Sequence, residues 1–274
     1  MARILITARF DPQAVVRLGK ENEVTFESWR NTGVFPTGDA LVERLNDGRY
    51  EIYINEGDKV PADVIERLHV TRLICVARAM PDNVDIAAAS RAGIVVTNAP
   101  GRNAIAVAEY TIGVILDLVR RITRGNRMVM SRTWEFRRFD ELEGIELNGR
   151  TIGLVGVGHI GREVAHRLTA FNMRVLGYDP YADAALARAA GVELVPLEQL
   201  MAESDIVSIH AAVTPETRGM IGARELALMK PTAYFVNTAR AVITDEQALY
   251  EALRDGRIAG AALDVFVREP VTPD

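Results

Sequence analysis

Apolar residues along this chain fall into two patterns, short runs with strand character and longer stretches with helical spacing. Near the start, Arg3–Thr7, Val24–Glu27, Glu51–Ile54, Arg72–Ala77 and Ile94–Val96 are brief and centred on aliphatic residues, which predicts strands. Between them, Asp39–Leu45, Ala62–Leu68 and Val84–Arg91 space their apolar positions as helices do, with starts at Asp39, Pro61 and Asp82–Asn83. A longer helix is predicted from Ala104 to Arg121, where Val107, Tyr110, Thr111, Val114 and Leu118 keep helical spacing. Past Arg150 the strand and helix signals resume at Thr151–Val155, Arg162–Ala170 and Arg174–Tyr178. They continue through Leu194–Met201, Ile206–Ile209, Ala223–Met229, Tyr234–Val236, Glu246–Leu253 and Ile258–Leu263. Such alternation implies parallel sheets with helices on both faces. No short fixed sequence period is present, so a solenoid is excluded.

The Pro/Gly turn Asn98-Ala-Pro-Gly-Arg-Asn103 is the best place to divide the chain, giving residues 1–98 and 99–274. A length of 274 residues is comfortable for two domains. The two halves differ at their first strand-to-helix turn. The first half has Ala8-Arg-Phe-Asp-Pro12 there, with no glycine. The second has Thr151-Ile-Gly-Leu-Val-Gly-Val-Gly-His-Ile-Gly161, so a Gly-x-Gly-x-x-Gly sits between an apolar strand and a helix bearing Val164, Ala165 and Leu168 on one face.

That context is the one a dinucleotide site needs. Gly156 permits the tight turn, Gly158 lets a pyrophosphate approach the backbone, and Gly161 lets helix and strand pack closely. The helix N-terminus offers unpaired N–H groups and partial positive charge. A second apolar run ends at Asp179, 18 residues past Gly161, where an acid can accept hydrogen bonds from the ribose hydroxyls of NAD.

Composition narrows the classes without choosing among them. A net charge of −5 argues against a general nucleic-acid or membrane-surface role. No apolar run approaches the roughly 20 residues of a membrane helix, and Met1–Thr7 reads as a strand, not as a signal peptide. The single cysteine, Cys75, lies in the apolar run Leu73–Ala77, where a buried inert thiol is expected. A cytoplasmic protein is expected. The basic stretch Arg120–Arg127, followed by Trp134-Glu-Phe-Arg-Arg138, leaves two readings: an anion site, or a solvated arm whose Trp134 and Phe136 pack on a partner subunit.

Chemistry gathers near the C-terminus of the sequence. Arg240 stands just past the strand Tyr234–Val236, where a guanidinium can clamp a carboxylate and polarise a carbonyl. Asp264 closes the last apolar strand, and Glu269 precedes Pro270 at 29 residues from Arg240. With these residues in place, the chain resembles the D-isomer-specific 2-hydroxyacid dehydrogenases. The likeness runs through Asn83-Val-Asp85, Asn98–Ala104, Val107-Ala-Glu109, the Gly156–Gly161 turn, Tyr178-Asp-Pro180, His210 and Thr214-Pro-Glu-Thr217. It continues through Leu228-Met-Lys-Pro231, Asn237-Thr-Ala-Arg240, Leu263-Asp-Val-Phe266 and Glu269-Pro270.

The resemblance implies an α/β fold of two doubly wound parallel-sheet domains. A flavodoxin-like substrate domain would span 1–98 and a Rossmann NAD-binding domain 99–274. It implies hydride transfer between NAD(H) and a D-2-hydroxy acid/2-keto acid pair; a non-catalytic NAD(H)-sensing protein of the same fold is the alternative. By resemblance, Arg240 and Glu269 are the catalytic pair, the arginine holding the substrate and the acid tuning a histidine. The cofactor would be held by Gly156, Gly158, His159, Ile160, Gly161, Asp179, His210, Thr217, Thr238, Ala239, Arg240 and Asp264, with Asp264 on the nicotinamide carboxamide. Arg78, Ala79, Met80 and Arg240 would bind the small 2-keto or 2-hydroxy acid. A homodimer is implied; no metal, nucleic acid or membrane is.

Two departures from the family pattern stand out. The loop Arg78-Ala-Met-Pro-Asp-Asn-Val-Asp85 is shorter than the family's Arg-x-Gly-x-Gly version, lacks glycine, and carries Pro81, which cannot donate a backbone hydrogen bond. The family's catalytic histidine lies about twenty residues beyond the Glu-Pro pair, in a segment that returns to the first domain. The expectation is therefore a chain that stops at Asp274 short of that residue, since His69, His159, His166 and His210 lie elsewhere.

Overall fold

A computed structural model describes residues 1–135 and 138–271. The chain folds as two compact units, Met1–Arg102 and Asn103–Asp274. The first unit runs β1 (Arg3–Ile6), α1 (Pro12–Leu18), β2 (Glu23–Phe26), α2 (Trp29–Thr32), α3 (Gly38–Asp47), β3 (Ile52–Asn55), α4 (Ala62–Ile65), β4 (Leu73–Val76), α5 (Ile86–Arg91) and β5 (Val95–Asn98). Its five strands are all parallel, in the order β2-β1-β3-β4-β5. That is the flavodoxin-like order.

The second unit begins with α6 (Ala104–Arg120), α7 (Ile122–Met130) and α8 (Arg138–Glu141), then β6 (Thr151–Val155), α9 (His159–Thr169), β7 (Arg174–Tyr178), α10 (Ala184–Ala189) and β8 (Val192–Leu194). It continues with α11 (Leu197–Glu203), β9 (Ile206–Ile209), α12 (Ala223–Leu228), β10 (Tyr234–Asn237), a 3₁₀ turn at Ala241–Ile243, α13 (Glu246–Arg254) and β11 (Gly260–Leu263). The six parallel strands lie in the order β11-β10-β9-β6-β7-β8. Read from β8, this is the doubly wound Rossmann order, whose crossover point falls between β6 and β9.

Each sheet is buried on both faces because strand side chains alternate. In β6, Ile152 and Leu154 join Ile115, Val119, Val164 and Leu168 beneath α6 and α9, while Val155 joins Leu200, Val207, Ile209, Phe235 and Leu249 on the opposite face. In β1, Leu5 meets Leu41, Leu45, Tyr53 and Ile74, while Ile4 and Ile6 face Val15, Leu18 and Val24.

Five details differ from the expectations drawn from pattern. Helix α1 buries no residue completely, so its apolar stripe is faint; an Asp11 cap on the Gln13 N–H and a proline in its first turn start it. Helix α10 is likewise announced by its cap, Asp183, which accepts from Ala185 and Leu186. The helix expected to reach Leu68 ends at Ile65, leaving His69 in a bend whose N–H is held by Asn46. Strand β11 and Cys75 are only half-buried: β11 pairs with β10 alone and is an edge of its sheet.

Candidate functional site

The turn from β6 into α9 is shaped by what its glycines cannot hold. Gly156 has φ +99°, and a Cβ there would lie 2.5 Å from the Ala211 nitrogen; at Gly161 a Cβ would lie 2.2 Å from the Gly156 carbonyl oxygen. Both glycines are demanded by the chain's own packing. Gly158 is different. It has an ordinary φ of −72°, and an added Cβ would meet no atom within 4 Å. Gly158 caps α9 without a side chain to fill the helix end, so the N-terminus carrying His159, Ile160 and Gly161 keeps donors for an anion.

Gly156 and Gly158 line a cavity of about 500 Å³ at the carboxyl ends of β6, β7 and β9. Its walls include Asp179, Pro180, Tyr181, His210, Glu216, Thr217 and Met220. Asp179 is pinned at the tip of β7: one carboxylate oxygen accepts from the Val157 N–H at 3.0 Å, the other from the Tyr181 N–H at 2.9 Å. Glu216 is held ionised, its pKa lowered chiefly by a hydrogen bond from Thr214. Among the described residues no lysine or arginine lines this cavity.

His210 follows β9, donates its backbone N–H to the Val155 carbonyl at 2.7 Å and places its ring Nε2 2.9 Å from Ser208 Oγ. Desolvation lowers its pKa to about 4, although the residue keeps partial exposure along the cavity wall. The imidazole is therefore neutral near pH 7. Thr217 serves its own loop: its hydroxyl accepts from the Thr214 N–H and donates to the Ala212 carbonyl at 2.7 Å each.

A second group of candidates sits where β10 and β11 end. Asn237 is buried, with Oδ1 accepting from Ala239 N–H at 3.0 Å and Nδ2 donating to the Arg240 carbonyl at 3.1 Å. This side chain folds Thr238-Ala239-Arg240 into a fixed turn. Thr238 Oγ1 lies 2.9 Å from Thr111 Oγ1 of α6, and Arg240 leaves its guanidinium exposed, bonded only to its neighbour's carbonyl among the described residues. The Asp264 N–H donates to the Asn237 carbonyl at 3.0 Å, and Asp264 Oδ1 accepts from Tyr110 at 2.9 Å. Glu269 turns back on its own loop, accepting from the Phe266 N–H at 3.1 Å; among the described residues no hydrogen bond joins it to Arg240.

Arg78, Ala79 and Met80 lie in the first unit, past the end of β4. Arg78 pairs with Asp82 at 3.0 Å, the Ala79 carbonyl accepts from Asn98 Nδ2 at 2.6 Å, and Met80 is exposed. Asn98 thus shapes a loop that lacks the family's glycines. In the basic stretch, Arg124 pairs with Glu141 at 2.8 Å and Arg121 donates to the Glu143 carbonyl, so two of its charges are answered within the chain. Trp134 is half exposed under the Arg138 guanidinium, and Phe136 lies outside the described residues.

The structure therefore groups Gly156, Gly158, Asp179, His210 and Thr217 around one cavity, and Thr238, Ala239, Arg240 and Asp264 around Asn237. The sequence pattern did not reveal Asn237 as organiser, Glu216 as a cavity wall, or Tyr110 as the partner of Asp264. Tyr110 carried a misleading signal, since its helical spacing suggested core although half of its surface is exposed.

Residues 112–274 match the sequence profile of the D-isomer specific 2-hydroxyacid dehydrogenase NAD binding domain. The D-3-phosphoglycerate dehydrogenase of Methanocaldococcus jannaschii is 40% identical over 271 residues, covering 98% of this chain and 50% of that protein. The glyoxylate reductase of Korarchaeum cryptofilum is 36% identical over 273 residues, covering 99% of this chain and 81% of its own. A crystal structure of a Thermus thermophilus protein superposes with a TM-score of 0.85 at 34% identity, covering 99% of this chain and 84% of that one. The chain spans about half the length, or less, of the first curated relatives it matches.

Proposed function

Since this chain belongs to the D-isomer specific 2-hydroxyacid dehydrogenase family, we propose that it transfers a hydride between NAD(H) and a D-2-hydroxy acid/2-keto acid pair. The observation that carries the reading is the β6–α9 turn: a helix end without a side-chain cap, a glycine that internal packing does not require, and a pinned carboxylate 18 residues past the last glycine. These fit a dinucleotide. The Gly158 backbone and the α9 N-terminus would take the pyrophosphate, and Asp179 the adenosine ribose. A cavity walled by Asp179 and Glu216, with no cation in its lining among the described residues, supports NAD over NADP, because a 2′-phosphate would meet two negative charges.

When bound, NADH supplies the hydride. The chain's own part is to hold the keto acid and to stabilise charge growing on its oxygen. Arg240, free of ion pairs among the described residues, offers a planar two-donor fork for the carboxylate and carbonyl. Asn237 fixes the turn from which it projects. The backbone N–H groups of Ala79 and Met80 are the proposed second grip on the carboxylate, with Arg78 beside them. Glu269 is the proposed acid partner of the proton donor. His210 belongs to the cofactor wall, because a neutral imidazole tied to Ser208 is a poor source of a proton at pH 7. In this reading residues 1–98 form the substrate domain and 99–274 the NAD domain.

A cytoplasmic homodimer completes the proposal. No helix among the described residues is long and apolar enough to cross a membrane. Ile105, Ile122, Val129, Met130 and Trp134 stand exposed on α6, on α7 and just beyond it, which supports a partner subunit there. NADH oxidation with a panel of 2-keto acids, beside calorimetric titration of NADH and NADPH, tests the reading. With the turnover assay run on the full-length protein, turnover of at least one keto acid with tighter NADH binding is expected; no turnover of any by that protein, or tighter NADPH binding, would overturn it.

A further inference from the structure

Helix α6 is the first long helix of the second unit, and two consecutive residues of it reach the site. Thr111 is fully buried, and its hydroxyl lies 2.9 Å from that of Thr238. Tyr110, half exposed, donates its phenolic O–H to Asp264 Oδ1 at 2.9 Å. The Asp264 backbone is already fixed, its N–H bonded to the Asn237 carbonyl, but an exposed aspartate side chain would otherwise turn freely about two torsions. The Tyr110 bond removes that freedom. The second oxygen, Oδ2, has no hydrogen-bond partner among the described residues.

We propose that Tyr110 is a positioning residue for the cofactor's nicotinamide ring, presetting the Asp264 carboxylate so that Oδ2 can accept an N–H of the ring's carboxamide. This rests on the reading of Asp264 as the carboxamide acceptor. An ionised carboxylate can take both donors at once. Like any tyrosine the phenol is a donor across the neutral range, and its hydrogen bond to Asp264 raises its pKa further. Holding an acceptor in place before binding strengthens a contact by sparing the ordering that binding would otherwise require.

The experiment compares NADH with its reduced 3-acetylpyridine analogue, which keeps the carbonyl oxygen but lacks the carboxamide N–H. Dissociation constants are measured calorimetrically for wild type, Tyr110→Phe and Asp264→Ala, with ADP-ribose as a ligand that has no nicotinamide. Wild type should prefer NADH by about tenfold or more, the size of a hydrogen bond to a charged acceptor. Asp264→Ala should remove the preference, and Tyr110→Phe should cut it to about threefold or less, with ADP-ribose affinity unchanged in both. Ultraviolet titration of tyrosinate adds a signature: in Asp264→Ala one tyrosine that ionises late in wild type should ionise earlier. A Tyr110→Phe variant that keeps the full preference overturns the proposal and leaves Asp264 in place. An unchanged preference in Asp264→Ala overturns the Asp264 reading itself. Equal losses for NADH and ADP-ribose in Tyr110→Phe would make Tyr110 a general structural tie, which also overturns the proposal.

Discussion

The two units open with the same device, a parallel strand turning into a helix, and they finish it in opposite ways. After β1, the chain caps its own helix: Asp11 accepts from the Gln13 N–H at 3.0 Å, with Pro12 beginning the helix. After β6, Gly158 caps α9 with no side chain at all, and a cavity of about 500 Å³ lies against that turn. A helix N-terminus has orphan donors in either case. What separates scaffold from site is whether the sequence supplies the acceptor itself or leaves it to a ligand. The nearby carboxylate is managed in the same spirit, since Asp179 is held off the helix end by the amides of Val157 and Tyr181.

The most severe test of this contrast is Gly161→Ala. Its Cβ would sit 2.2 Å from a backbone oxygen, so α9 would have to move away from β6. A stability loss of about 3 kcal/mol is expected, at the upper end of overpacking costs, together with loss of NADH binding. Urea unfolding measures the first and calorimetry the second. A variant as stable as wild type would mean that the turn is softer than its geometry implies. Arg240→Lys comes next. In the full-length protein a drop of about a hundredfold in kcat/KM is expected, because lysine keeps the charge but loses the fork, while NADH affinity should stay nearly intact. Near-normal turnover would make Arg240 structural. Gly158→Ala isolates the ligand's share of the turn. Stability should change by less than about 0.5 kcal/mol, yet NADH should bind about tenfold more weakly, a loss of ~1.4 kcal/mol. If stability falls as much as in Gly161→Ala, the distinction between packing glycine and ligand glycine fails.

Much of this contrast was legible in the sequence, for physical reasons that also explain the gaps. The glycines, the β-branched strand before them and Asp179 are local features with fixed spacing, and the parallel sheets follow from β–α alternation, whereas the strand orders came only from the family resemblance. The cap-driven helices α1 and α10 escaped because their stability comes from Asp11 and Asp183 and not from a full apolar stripe. Asn237 and Tyr110 escaped for another reason. Asn237 acts through hydrogen bonds within its own turn, and Tyr110 meets Asp264 across 154 residues of sequence. Spacing on one strand or helix carries no trace of a tertiary hydrogen bond of that kind.

Acid should expose the second turn's weakness. His210 lies directly behind Gly156, and its imidazole has a pKa of about 4 in the fold against 6.5 in an unfolded chain. Between those values the unfolded state binds more protons, so stability rises with pH through that window and is lost as pH falls through it. His210→Gln cannot titrate and retains a group able to bond Ser208. Between pH 6.5 and about 4 the urea midpoint should fall more for wild type than for the variant. Parallel pH profiles would show that His210 is already charged or solvent-relaxed in the fold.

The smallest expected effect tests the other side of the contrast. If Asp11 only completes the first unit's scaffold, Asp11→Ala should cost about 1 kcal/mol, the usual value of an N-cap. Asp11→Ser should recover most of it, because a hydroxyl can also accept from the Gln13 N–H. Alanine leaves the end of α1 without its side-chain cap, as glycine does at α9, but nothing makes it a ligand site: α1 has seven residues and lacks the glycine-fronted turn. NADH affinity and the preference over NADPH should therefore match wild type in both variants. A loss of NADH affinity in Asp11→Ala, at unchanged stability, would mean that the first unit's turn reaches the cofactor, and the division between a self-capped scaffold and a ligand-capped site would have to be abandoned.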